Sequence, residues 1–119
     1  MTELEKAVKE FNNGAYYACH ETLEKLWLKE KSFQRDIYKG ILQIAVALFH
    51  MKQGNISGTK RLLRSGVSLI KPFGPQWSGL DLDQLGNDSL KLLQALEGLT
   101  DDNIYNLEIP IIHRHEDHV

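Results

Sequence analysis

His20 and Glu24 stand one helical turn apart, Glu21 follows His20 directly, and His50 lies further along the chain. An imidazole and a carboxylate at i and i+4 share a helix face, as the ligands of a helical metal site do. With His50 as a third ligand, His20 and Glu24 make a two-His, one-Glu set with an open position for water or substrate. Glu21 then stands where the general base of an H-E-x-x-H metalloprotease helix would be, although the last position here is Glu24 rather than His. The competing reading is an inter-helix hydrogen-bond network of His20, Glu24, Gln43 and a tyrosine hydroxyl. Left unpaired in a core, such groups would cost roughly 2–7 kcal/mol each, so something must satisfy them. A satisfied network or pocket wall outweighs a metal centre, because short His-Glu matches are frequent by chance.

The elements that must position these residues are helices. Leu4, Ala7, Val8 and Phe11 fall at i, i+3, i+4 and i+7, with Thr2 as the N-cap and Asn12-Asn13-Gly14 as the stop. A second helix is expected over 15–29. At about 100° per residue its apolar arc holds Leu26, Cys19, Leu23, Tyr16, Trp27, Tyr17 and Leu28. His20 falls near the middle of that arc and Glu24 just off it, while Thr22, Lys25 and Lys29 take the wet side. A third helix is expected over 33–53, apolar nearly all round from Ile41 to Met51, as a central buried helix would be. Its polar residues Asp36, Lys39, Gln43 and His50 project onto one strip flanked by Gly40 and Ala47. If that strip faces His20, the two anomalies make one polar cleft; otherwise it is the strip that meets water.

A fourth helix over 58–71 buries Leu62, Leu63, Val67, Leu69 and Ile70, with Asn55 or Ser57 as its cap and Lys60, Arg61 and Arg64 on a solvated side. Residues 72–79 contain two prolines and read as an ordered loop anchored by Phe73 and Trp77. One turn over 81–85 and a fifth helix over 88–99 follow. Leu107, Ile109 and Ile111 then alternate around Pro110, an extended arm over the body or onto a second subunit. His113 to His118 carry no apolar reason for order; His113, His115 and His118 could chelate metal in vitro. Gly14 and Gly54 mark two helix-turn-helix units of shared geometry, short of the roughly three repeats that an array needs.

The pattern Phe11-Asn12-x-Gly14-x-Tyr16, His20-Glu21-x-x-Glu24-x-x-Trp27, and then Gly40-x-x-Gln43-x-Ala45-Val46-Ala47, His50 and Gly54-Asn55-x-x-Gly58 resembles the domain of unknown function 309 family. The likeness covers about residues 7–71, with a looser echo near Trp77, and departs at Thr59, where a small Ala is expected. It implies a small all-helical protein and brings no activity with it.

At 119 residues the chain is long enough for one domain with a single core. A net charge of −2 and a pI near 6.2 give no global electrostatic reason to bind nucleic acid or an anionic membrane. The lone Cys19 fits a reducing compartment. As a small hydrophobe it needs no further role, since adjacent helix positions diverge by about 100° and it makes no nucleophile pair with His20. The N-terminus lacks a signal-peptide run and no apolar run spans a bilayer, so a soluble, cytoplasmic protein is expected.

The expected fold is therefore all-α: a compact single-domain bundle of about five helices over 1–103, built on antiparallel helix hairpins, with an extended C-terminal arm and tail over 104–119. The expected site is an inter-helix cleft for a small ligand, formed by Tyr16, His20, Glu21, Glu24, Trp27, Gln43 and His50, with Trp27 more core than platform. No cofactor is expected. The alternatives are a metal-dependent hydrolase with a divalent metal on His20, Glu24 and His50, and a protein-interaction scaffold in which the apolar arm and the Trp77 loop contact a partner, a second copy included, and the polar cluster is only structural.

Overall fold

The computed structural model describes residues 1–98 and 107–114. Thr2 opens α1 (Glu3–Asn12): its hydroxyl accepts the Glu5 amide at 3.0 Å, and Glu3 and Glu5 sit in the first turn, where carboxylates favour the helix dipole. Gly14, at φ +77, turns the chain into α2 (Tyr16–Lys29). Gly54, at φ +80, repeats that device between α3 (Gln34–Lys52) and α4 (Ile56–Ile70). Asn55 caps α4 by accepting the Gly58 amide at 3.0 Å, and the buried Thr59 hydroxyl donates back to the Asn55 carbonyl at 2.9 Å. Both hairpins have the shared turn geometry that the Gly/Asn positions suggest.

α3 packs on α2 along one side and on α4 along the other. The α3–α4 approach is close because Gly40 meets Gly66. A Cβ on Gly40 would sit 2.6 Å from Ile70 Cγ2 and 2.9 Å from the Gly66 carbonyl oxygen, and one on Gly66 would sit 2.7 Å from the Gly40 oxygen. Ile41, Ile44, Ala47 and Leu48 on α3, with Leu63 and Ile70 on α4, build the core around this contact.

After α4 come a single 3-10 turn (Lys71–Phe73) and a small hairpin, β1 (Gln76–Trp77) paired antiparallel with β2 (Leu80–Asp81). Ser78 and Gly79 both have positive φ, 52° and 77°, the backbone that two-residue hairpins require. The anchors are those expected from sequence. Trp77 Nε1 donates to Gln34 Oε1 at 3.1 Å and the indole meets Tyr38 edge-on, while Phe73 stacks on Phe33. The hairpin itself is an addition to the expected loop.

α5 is one helix, Leu82–Glu97, rather than a turn followed by a helix over 88–99; Leu99 lies outside the described residues. Gly86 does not break it because Leu82, Leu85, Ser89, Leu92 and Leu96 form one uninterrupted buried stripe. Asp81 caps it, accepting the Gln84 amide at 2.9 Å.

The arm lies on the body of its own chain. Asn12 takes both backbone groups of Ile112, donating to its carbonyl at 2.9 Å and accepting its amide at 2.7 Å. The Asp81 amide donates to the His113 carbonyl at 2.9 Å, and Leu80 bridges Arg114. This register reverses the expected alternation beyond Leu107: Pro110 and Ile112 are buried, and Ile109 and Ile111 face out. His113 and Arg114 are thus held by backbone pairing rather than by apolar contact, while residues 104–106, His115 and His118 lie outside the described residues.

Five α-helices and one two-stranded hairpin among the described residues make an all-α bundle. None of the helices is long and apolar enough to cross a membrane.

Two outcomes follow from these contacts. Gly40→Ala gains about 1 kcal/mol of helix propensity but forces Cβ into backbone, so a net loss of ~1–3 kcal/mol is expected in urea unfolding. Asn12→Ala frees the Ile112 amide, whose hydrogen exchange should accelerate while exchange at Ile44 does not.

Candidate functional site

α2 is rotated from the orientation that its apolar arc suggests. Its buried residues are Tyr16, Cys19, Thr22 and Leu23, so the buried face is centred near Cys19 rather than on His20. Thr22, expected on the wet side, is buried because its hydroxyl donates to Glu10 Oε1 of α1 at 2.7 Å and to the Ala18 carbonyl at 3.1 Å. Lodged between α1 and α3, the helix turns its middle toward both neighbours. Tyr17 and Leu28 are therefore exposed, and His20 and Glu24 lie at the edge of the α2–α3 seam.

At that edge His20 Nε2 lies 3.1 Å from Glu24 Oε2, with the side chains 28% and 46% exposed. The pair is made as the spacing requires, but in the wall of a surface groove rather than inside the bundle. Across the seam, α3 presents Val46, Phe49 and His50. Tyr17 packs on both His20 and Phe49, at centroid separations of 5.7 and 5.8 Å. Tyr16, Tyr17, His20, Val46, Phe49 and His50 enclose a hollow of about 140 Å³. A second, more open hollow of about 260 Å³ lies on the outer side of the same wall, where Glu21 and Glu24 join Tyr17, His20, Lys25 and Leu28.

The expected cleft residues separate accordingly. Tyr16, His20 and His50 meet around the inner hollow; Glu21 and Glu24 belong to the outer one. Gln43 lines neither. It lies on the α2-facing side of α3, one turn from Lys39, which sits over Trp27, and one from Val46. Its Oε1 is buried with no hydrogen-bond partner, as are His20 Nδ1 and Trp27 Nε1. The network of His20, Glu24, Gln43 and a tyrosine hydroxyl is thus not closed by the described side chains. Trp27 is half-buried against the core, its ring covered by Arg35 and Lys39.

His50 does not join His20 and Glu24 as a third ligand. Among the described residues, no three His, Cys, Asp or Glu side chains are grouped to hold a metal ion. His50 Nδ1 instead lies 3.5 Å from Asn55 Nδ2, near the hairpin turn.

Tyr17, Val46 and Phe49 were absent from the sequence-based site. Val46, Phe49 and His50 recur at i, i+3 and i+4, and antiparallel pairing of α2 with α3 brings that set opposite Tyr17 and His20. Nothing in the local sequence separates Tyr17, Val46 and Phe49 from ordinary helix-face hydrophobes and aromatics.

Cys19 is fully buried. Burial first, and then the Glu10 carboxylate, push its thiol up to about 12. It is no nucleophile at neutral pH. Burial likewise raises Tyr16 and Tyr38. The unfolded chain releases the Cys19 proton near its ordinary value of 9.0 and the folded chain near 12, so the folded state holds more protons between them. Unfolding free energy should therefore fall as pH rises through that window, and less steeply in Cys19→Ala. An aromatic disulfide reagent at pH 8 should leave the native thiol unlabelled and label it in urea.

The family model described as Domain of unknown function (DUF309) matches residues 4–62, a span that contains every residue of the inner hollow. An uncharacterized protein, YpuF, of Bacillus subtilis (strain 168) is 32% identical over 85 residues, which cover 71% of this chain and 46% of that protein. An uncharacterized protein of Aquifex aeolicus (strain VF5) is 25% identical over 83 residues, covering 69% of this chain and 25% of its own length. The chain thus spans less than half the length of these curated relatives. Residues 4–62 are the part of the chain similar to the DUF309 family.

Proposed function

We propose that the groove between α2 and α3 binds a small organic molecule with an apolar ring and a cationic or hydrogen-bond-donating end. The observation that carries this reading is the double role of His20, which walls an apolar hollow on one side and, on the other, one where the carboxylates of Glu21 and Glu24 outnumber the single ammonium of Lys25. The inner hollow, about 140 Å³ and open to solvent on one side, has room for a single small ring. Its walls are aromatic and aliphatic apart from the two histidines, the usual make-up of a small-molecule site. The neighbouring carboxylates of Glu21 and Glu24 would receive an ammonium group, and the Tyr17 ring beside them adds a cation–π face. The net charge of −2 supports a cytoplasmic protein that binds neither nucleic acid nor an anionic membrane, and the exposed Ile109 and Ile111 of the arm support contact with a second copy.

Phenethylamine and its neutral analogue phenethyl alcohol are suitable probes, followed by NMR of the full chain. Saturable shifts are expected at Tyr17, Val46 and Phe49 with both compounds. Val46→Phe should fill the inner hollow and abolish them. Glu24→Gln should weaken the amine several-fold, as for a partly exposed ion pair worth ~0.5–1 kcal/mol, and leave the alcohol nearly unchanged. Absence of saturable shifts with either probe, or their persistence in Val46→Phe, refutes the reading.

A further inference from the structure

Trp27 carries two cations on one ring. Arg35 Cζ lies 4.5 Å from its centroid and Lys39 Nζ 5.9 Å. The two stand one turn apart on α3, an arrangement in which like charges repel. No carboxylate answers them: the ion pairs among the described residues are His20–Glu24, Arg64–Glu97 and Arg114–Glu5. Asp36, their neighbour on α3, is exposed and pairs with neither. Arg35 is itself exposed, and Trp27 is held half-buried against the core. A guanidinium resting on a half-buried indole is restrained by that contact, and no hydrogen bond or ion pair among the described residues takes up the side-chain donors of the exposed Arg35. That is the preorganisation that bidentate recognition of a carboxylate or phosphate exploits.

We propose that Arg35 and Lys39, ordered on the Trp27 ring, form a binding site for an oxyanion: the carboxylate or phosphate group of a small molecule. Arg35 supplies the two parallel N–H donors, Lys39 a second positive charge, and Trp27 the platform that holds both. The site is separate from the hollow around His20, and its test does not depend on that one.

The test uses the full chain and its own tryptophan fluorescence, titrated with sodium phosphate and with sodium acetate at ionic strength held constant with sodium chloride. Trp27 reports on the site, while Trp77, bonded to Gln34, is the background that a Trp27→Phe variant isolates. A saturable change is expected with one or both oxyanions, and whichever binds more tightly identifies the group preferred. Arg35→Lys, which keeps the charge but loses the fork, should weaken binding about tenfold. The Arg35→Gln, Lys39→Gln double variant, with an unchanged circular dichroism spectrum, should lose the response. Chloride giving the same response, no saturation with either oxyanion, or a response retained in the double variant would overturn the proposal.

Discussion

The contact between Gly40 of α3 and Gly66 of α4 is the constraint on which the rest of the molecule depends. Two helices meet with backbone against backbone, at positions where even one methyl group would collide with a carbonyl. That approach commits one face of α3 to α4 and turns the adjoining face, which bears Lys39, Gln43, Val46 and His50, toward α2. Ala45, Ala47, Ile44 and Leu48 fill the space between with side chains that leave no polar atom to satisfy. The groove's α3 wall is set by this rotation of the central helix.

The rotation of α2 is set from its other side. Thr22 is pulled inward by its bond to Glu10, Cys19 and Leu23 occupy the floor, and His20 is carried to the rim. A rim position lets an imidazole meet solvent on one side and apolar rings on the other. Buried fully, His20 and Glu24 would need partners for all their polar atoms, and α3 offers mostly Val46 and Phe49 at that level. Half-burial of the pair resolves the conflict, while His20 Nδ1 and Gln43 Oε1 are left as residual unpaired groups. Such groups in a native interior have a cost, and they cluster where a fold keeps a site rather than maximal stability.

The C-terminal arm closes the other end of the bundle by a different kind of physics. Its register is fixed by backbone hydrogen bonds from one side chain, Asn12, and by a short bridge to the hairpin. Asn12 therefore has two tasks, ending α1 and gripping Ile112. The hairpin likewise ties α5 to the arm on one side and, through Trp77 and Gln34, to the start of α3 on the other. α3 is held along its length by α2 and α4 and at its beginning by this hairpin, which makes it a rigid base for Arg35 and Lys39.

The amino-acid sequence by itself determined the first four helices, the caps at Thr2 and Asn55, the turns at Gly14 and Gly54, and the central place of α3, because these depend on contacts within a few residues. Thr2, Gly14, Gly54 and Asn55 act on their own neighbours, and a helix apolar on all sides has no stable place except the middle. The pairing of His20 with Glu24 is legible for the same reason, being one turn of a single helix. The tertiary structure alone decided how each helix is turned about its axis. α2 has an apolar arc wide enough for two orientations, and Glu10, distant in the sequence from Thr22, selected one of them. α5 continued through Gly86 because α4 covers that side, and the arm took the opposite alternation because Asn12 holds Ile112. The apolar half of the groove belongs to this second class: Val46 and Phe49 are ordinary core letters until α2 is laid beside them, since a helix's own sequence does not say which neighbour its faces will meet.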